Sequence, residues 1–305
     1  MPNPAREWGA MTGITIGQRV QWAIETECSA IKAGNVHPYA SFRDLSHQHF
    51  VKAANSIGQA MDLNIGQSVG LLVLRSVQAM MDTVGTNTSL GTILLMVPLA
   101  VATHRMANNR DGTKSFQESV KEVLASLKAE DSSDIYQAIR IAKPGGLRNT
   151  DSMDIHQSAP INILEAMRLA AAWDDIALQY ISDFDLVFAI SSSIDSKTTS
   201  GLTQLNAIRC VQVELLSERV DSLIARKKGS AFAKQVQAFA SDVIASGPFE
   251  SIEYVAAWHR FDHQLRDIEH RGNPGTIADL IAAGLYTASF YSLPHVFECS
   301  IGSSL

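Results

Sequence analysis

The chain has 305 residues, 46% of them hydrophobic and 18% charged, with a formal net charge of −6. That composition supports a substantial core and lacks the basic balance that non-specific nucleic-acid binding needs. Cys28, Cys210 and Cys299 are scattered, which fits neither a disulfide scaffold nor a zinc site and suits a reducing, cytoplasmic compartment. The low charged fraction leaves surface for a neighbour, so a homodimer is possible.

The N-terminal MPNPAREWGAMTG lacks a basic segment followed by an apolar one, so no signal peptide is expected. Ile16, Val20, Ala23 and Ile24 recur at helical spacing and predict a helix over 16–31. Lys32-Ala33-Gly34-Asn35-Val36-His37-Pro38 follows. A helix stop accounts for Gly34 and Pro38 but not for Lys32 or Asn35, which become candidate substrate-binding residues. Asp44 or Ser46 opens the next helix, predicted to reach about Met61. Asp44 is read as a cap or, functionally, as a metal ligand or general acid/base. His47 and His49 are two apart and cannot share a helix face, so a two-His metal pair is not expected.

Residues 65–81 are apolar nearly all round and predict a buried helix. Gly85-Thr86-Asn87-Thr88-Ser89-Leu90-Gly91 then precedes the apolar run Thr92-Ile93-Leu94-Leu95-Met96. Small polar groups at a helix start, with backbone N–H groups unpaired, form a phosphate site in principle. Gly85, Asn87, Thr88 and Ser89 are therefore candidate phosphate contacts, against the plainer reading of a capped turn. The helix over 90–106 should kink or break at Pro98, and its apolar run ends too early at His104-Arg105 for a membrane span.

Helices are expected over 116–129 and 133–142, stopped by Pro144-Gly145-Gly146. Lys143 to Arg148 is a glycine loop between cations, but it lacks the strand setting and the Lys-Ser/Thr ending of a P-loop. A polar loop over 147–162, carrying Asp151 and Asp154, leads to helices over 163–173 and 203–216, while 184–194 fits helix or strand and reads as helix in this company. Residues 220–229 join Asp221 to Arg226, Lys227 and Lys228. A solvated turn is one reading; the functional one puts Asp221 on a metal or hydroxyl and Arg226 on phosphate. Helices follow over 231–244 and 252–268, the latter with His259, His263 and His270 on a charged surface.

The last helix, over 276–291, opens at Asn273-Pro274-Gly275-Thr276, with Asn273 as cap and Pro274 as first helical residue. Asn273 and Gly275 are candidate substrate contacts. Asp279 lies among Ile277, Ala278, Leu280 and Ile281, where a carboxylate is costly unless partnered. No convincing period-2 segment occurs. The expectation is one all-α globular domain over 1–305, of roughly ten to fourteen helices.

In order, these segments resemble the triphosphoribosyl-dephospho-CoA synthase family across about residues 16–290. The family's Lys-Pro-Gly and Asp-Met segments are matched by Lys32-Ala33-Gly34 and Asp44-Leu45. Its Gly-Val-Asn-Thr-His-Lys-Gly loop is matched by Gly85 to Gly91. Its Asp-Thr-Asn and Arg-Gly-Gly segments are matched by Asp221-Ser222-Leu223 and 226–229. Its closing Asn-x-Ser-Pro-Gly-Gly-Ser-Ala-Asp-Leu-Leu is matched by Asn273 to Ile281. Ser89-Leu90 replaces the loop His-Lys and Ala33 replaces a proline. Pro144 to Leu147 and Leu164 to Met167 resemble a divergent branch found in archaea and some bacteria.

The resemblance implies an all-helical enzyme that transfers the ribose triphosphate of ATP from C1′ to the 2′-hydroxyl of a dephospho-CoA-like acceptor, releasing adenine. An oxocarbenium-like transition state then needs an acid, a base and a cation. It implies Asp44, Asp221 and Asp279 as carboxylates, Mg²⁺ held by Asp44 and Asp221, and Lys32, Arg226 and Lys227 as anion partners. Asn87, Thr88 and Ser89 would contact phosphate or ribose. The loop substitution keeps open a phosphoribosyl-type transferase serving another cofactor, such as a methanopterin-type carrier. A non-catalytic helical nucleotide-binding protein is the third reading.

Overall fold

The structure, a computed structural model, describes residues 13–108, 114–146, 152–266 and 272–291. Arg148, Asp151, His270, Arg271 and Cys299 lie outside the described residues. Fourteen helices are described: α1 (Ile16–Ser29), α2 (His47–Asn64), α3 (Val69–Val84), α4 (Leu90–Asn108), α5 (Phe116–Ala125), α6 (Ala129–Ala142), α7 (Ile163–Ala170), α8 (Asp175–Ile181), α9 (Asp185–Thr199), α10 (Gln204–Glu218), α11 (Ser222–Lys228), α12 (Ser230–Ala245), α13 (Ile252–Leu265) and α14 (Gly275–Tyr291). The fold is all-α. Between described residues the strand-like pairing is one isolated bridge, His37 with Ala40.

The chain divides into two compact units. One comprises residues 1–22, 51–144 and 149–185; the other comprises 23–50, 145–148 and 186–305. In the first, α3 packs against α6 and α4, α4 against α5 and α8, and α7 against α8. Residues 92–103 of α4 are all buried, so α4 is the centre of this unit's core. By length and composition α4 could cross a membrane, but 72% of its apolar window is buried inside the protein, as a core helix requires. The helix continues through Pro98 instead of ending there. Proline has no N–H for the carbonyl four residues back. That carbonyl, of Leu94, accepts instead from the buried Tyr180 hydroxyl of α8 at 2.6 Å.

In the second unit α10 packs on α12 and α14, α12 on α11 and α13, and α11 on α14. Aspartates at helix starts recur in both units. Asp62 of α2 accepts from Gly17 N–H in the first turn of α1 (2.7 Å). Asp131 accepts from Lys128 N–H, opening its own helix α6, and from Gly70 N–H in the first turn of α3 (2.8 and 2.7 Å). Each carboxylate answers N–H groups that have no partner within their helix and complements the positive helix end.

Several boundaries differ from expectation for the same reason. Ser68 caps α3, so it starts at Val69 and not at 65. Asp131 draws the start of α6 forward to Ala129. The helix expected over 163–173 ends at Ala170, and Asp174 caps a separate α8. Residues 222–228, read as a turn, form α11 behind the capping Asp221.

Candidate active site

Most of the sequence-selected residues lie in the second unit, around the starts of α11 and α14. Asp221 is 1% exposed. One of its oxygens accepts from Ile224 N–H of α11 (2.9 Å) and the other from Ile277 N–H of α14 (2.8 Å). One carboxylate thus caps two helices. Beside it the Ser222 hydroxyl donates to Thr276 Oγ1 (3.0 Å). The expected cap of α14, Asn273, is displaced from that role: α14 begins at Gly275, the side chain of Asn273 is engaged elsewhere, and Asp221 caps from across the fold. The helix start does hold an anion, but the anion is Asp221. Gly275 sits where any Cβ would lie 2.7 Å from Leu223 of α11, so its small size serves helix packing.

The segment after α1 is held by the same unit. Lys32 is 0% exposed. Its ammonium donates to Glu27 O (2.6 Å), lies near Ala30 O (3.4 Å) and pairs with the Glu27 carboxylate (3.0 Å). Two backbone carbonyls hold the ammonium and the carboxylate lies at ion-pair distance, so Lys32 neutralises a buried glutamate. Burial raises the Glu27 carboxyl above its ordinary value, and Lys32 opposes that rise. Burial likewise pushes the neighbouring Cys28 thiol up to about 12, so it is not a thiolate nucleophile.

Gly34, at φ +72, donates its N–H to Asp262 of α13 (2.8 Å), and a Cβ there would lie 2.7 Å from Leu265. Asp262 chelates Arg266 Nε (2.8 and 3.0 Å). Arg266 in turn donates to Asn35 O (2.9 Å) and lies 3.2 Å from His37 Nε2. Burial first, then the Arg266 charge, lowers the His37 pKa to about 4. Gln212 of α10, fully buried, bonds both backbone groups of Ala33 and the side chain of Asn35, which reaches Asn273.

Arg226 and Lys227 are half-buried in the last turn of α11, where cations complement the helix end. The glycines at 145 and 146 pack against them: a Cβ would lie 3.2 Å from Lys227 Cε and 3.1 Å from Arg226 Cβ. Asp279 is half-buried, one turn into α14. Asp44 is exposed and does not cap α2, which begins three residues later, after Ser46.

Gly85, Asn87, Thr88 and Ser89 lie in the other unit, on the turn joining α3 to α4. Gly85 ends α3 in the left-handed region (φ 69), and Asn87 Oδ1 accepts from Leu90 N–H (3.0 Å). The Ser89 hydroxyl donates to Thr88 Oγ1 (3.1 Å). A capped turn therefore accounts for Gly85 and Asn87.

Among the described residues no three His, Cys, Asp or Glu side chains come together to hold a metal. Both oxygens of Asp221 are taken by backbone donors, while Asp44 is exposed. No third His, Cys, Asp or Glu side chain joins either carboxylate among the described residues.

Sequence reasoning missed Glu27, His37, Gln212, Asp262 and Arg266. A Gln inside an apolar helical stripe (Ile208, Val211, Val213, Leu215, Leu216) was a signal open to reading; the others carry none without the fold.

Comparison with known proteins gives the family and the fold. Residues 14–295 match the ATP:dephospho-CoA triphosphoribosyl transferase family. A solved structure from Archaeoglobus fulgidus, assigned as a triphosphoribosyl-dephospho-CoA synthase, is 24% identical at a TM-score of 0.59. The match covers 77% of this chain and 96% of that one, and establishes a shared fold. No curated protein matches the chain in sequence. The chain belongs to the ATP:dephospho-CoA triphosphoribosyl transferase family. It is a transferase, and its reaction is the transfer of an ATP-derived ribosyl group to dephospho-CoA.

Proposed function

We propose that the unit containing α10 to α14 carries the chemistry of this transfer, with Asp279 as its acid/base carboxylate and Arg226 and Lys227 as triphosphate partners. Breaking the bond from C1′ to the adenine nitrogen leaves adenine with the bonding pair, so it must gain a proton. The acceptor 2′-oxygen forms the new bond to C1′ and must lose one. A carboxylate held beside the reacting sugar can serve either need. The observation that supports Asp279 most is its setting. It lies half-buried one turn into α14, the helix whose start Asp221 ties to that of the cation-bearing α11.

Asp221 is the anchor in this reading. It fixes the starts of the two helices that carry Asp279 and the cations, and its own oxygens serve backbone N–H groups. Asp44 is the second candidate carboxylate, exposed to solvent. Magnesium enters as the counter-ion of the triphosphate, since Mg²⁺ commonly binds through substrate phosphates and few protein oxygens. Three cysteines scattered along the sequence support a cytoplasmic setting.

The test is chromatographic detection of adenine released from ATP and Mg²⁺, with and without dephospho-CoA. Acceptor-dependent adenine is expected. No adenine with either, while ATP still binds, overturns the reading and favours another ribosyl donor or acceptor.

A further inference from the structure

Gln212, Asn35 and Asn273 form a chain of three side-chain amides whose direction is set by backbone groups. Gln212 Oε1 accepts from Ala33 N–H (2.9 Å), and Nε2 donates to Ala33 C=O (2.9 Å). A backbone N–H can only donate and a carbonyl only accept, so this pair fixes which end of the Gln212 amide is oxygen. Its Nε2 also donates to Asn35 Oδ1 (2.8 Å). The Asn35 Nδ2 must then face the other way. It donates to Asn273 Oδ1 (2.7 Å) and lies 3.4 Å from Pro274 O, a second acceptor-only group that agrees with this orientation.

The consequence falls on Asn273. With its oxygen held by Asn35, its NH₂ is turned away from the relay and has no hydrogen-bond partner among the described residues. Gln212 is fully buried and Asn35 nearly so, whereas Asn273 is half-exposed. The relay therefore runs from the core to the surface at the start of α14, and Gly275 packs that start against α11, which carries Arg226 and Lys227.

We propose that Gln212 is a positioning residue which, through Asn35, presents the Asn273 NH₂ as a fixed donor to a phosphate oxygen of the nucleotide substrate. This rests on the reading of this unit as the transfer centre. It assigns a role to a buried residue that touches no substrate, and it defines the polarity of the contact: Asn273 donates.

Equilibrium binding of ATP, by calorimetry, tests the proposal apart from turnover. Asn273→Asp keeps an oxygen for Asn35 but replaces the donor with an acceptor; Asn273→Ala removes both without adding charge. Each should weaken ATP binding roughly tenfold or more, the scale of one hydrogen bond to a charged group. Gln212→Glu cannot donate to Asn35, so Asn35 must turn its amide and Asn273 must follow. It should weaken ATP binding to a similar degree, and the double variant Q212E/N273D should be no weaker than N273D alone. A residue with only a packing role would lower the thermal midpoint and add its effect to that of N273D. If N273D and N273A bind ATP as the parent does, the proposal is overturned, whether or not Q212E folds. If the parent binds ATP but releases no adenine, and N273D loses binding, the relay stands and the catalytic reading fails.

Discussion

Asp221 Oδ2 accepts from the backbone N–H of Ile277 at 2.8 Å, across 56 residues of chain. Its other oxygen caps α11 at Ile224, so one buried carboxylate sets the spacing of two helix starts. Asp221→Ala should therefore cost about 2–4 kcal/mol, from two charge-assisted hydrogen bonds with compensation by water. Asp221→Asn, which keeps one good acceptor, should lose roughly half as much. Urea unfolding of the two variants checks this. Equal stability in all three proteins would mean that water satisfies the helix ends as well as Asp221 does.

Lys32 and Glu27 form an ion pair with no exposure at the lysine. Lys32→Met leaves Glu27 buried without its counter-charge, and breaking such a pair costs about 3–5 kcal/mol. The pH dependence has a definite sign. Burial already raises the Glu27 pKa and Lys32 opposes it, so in the variant the rise is larger. A carboxyl with a raised folded pKa favours the folded state at acid pH and disfavours it as pH climbs through that value. The gap between parent and variant should be narrow in acid and widen toward neutral pH. A pH-independent gap in urea midpoints would show that Glu27 stays protonated throughout.

His37 titrates in the opposite sense. Its pKa is lowered to about 4 by burial, by Arg266, and by smaller contributions from Lys32 and His47 that Asp262 partly offsets. The unfolded chain binds its proton near pH 6.5. Stability should thus be present above about pH 6.5 and decline as pH falls toward 4, by roughly 2–3 kcal/mol. His37→Asn should flatten the stability profile in that window. A profile unchanged by the substitution would assign the acid loss to other groups.

The all-helical class and most helix spans were legible because the apolar spacing is strong: the expected spans 90–106 and 276–291 differ from α4 and α14 by at most two residues at either end. The short helices α8 and α11, of seven residues each, were not legible, since two turns carry too little periodicity. The candidate site was legible as residue types and not as roles. Lys32 reads as an anion partner until its burial beside Glu27 is known, and Asn273 reads as a cap until Asp221 is found in that place. Both depend on partners distant in sequence, and a local pattern cannot report them.

In α4, Pro98 withholds a donor from the Leu94 carbonyl, and the Tyr180 hydroxyl supplies one. Tyr180→Phe should cost about 1–3 kcal/mol by leaving a buried acceptor unmatched. Pro98→Ala restores the backbone donor, so the same Tyr180→Phe change should cost less in that background. Additive costs in the double-mutant cycle would argue that the tyrosine acts by packing alone.

Asp279→Asn is the direct test of the chemistry. The amide is nearly the same size and can still hydrogen-bond, so the thermal midpoint should move by no more than about 2–4 °C, the shift of a change near 1 kcal/mol in a chain this large. It cannot exchange a proton with the reacting sugar oxygen or with adenine. The turnover number for adenine release, at saturating ATP and dephospho-CoA, should fall by about 10²–10⁴, with the KM for ATP little changed. That split marks a group acting in the transition state. A rise in KM at constant turnover would instead make Asp279 a binding contact, and the acid/base role would pass to Asp44, whose Asp44→Asn variant should then carry the loss in turnover.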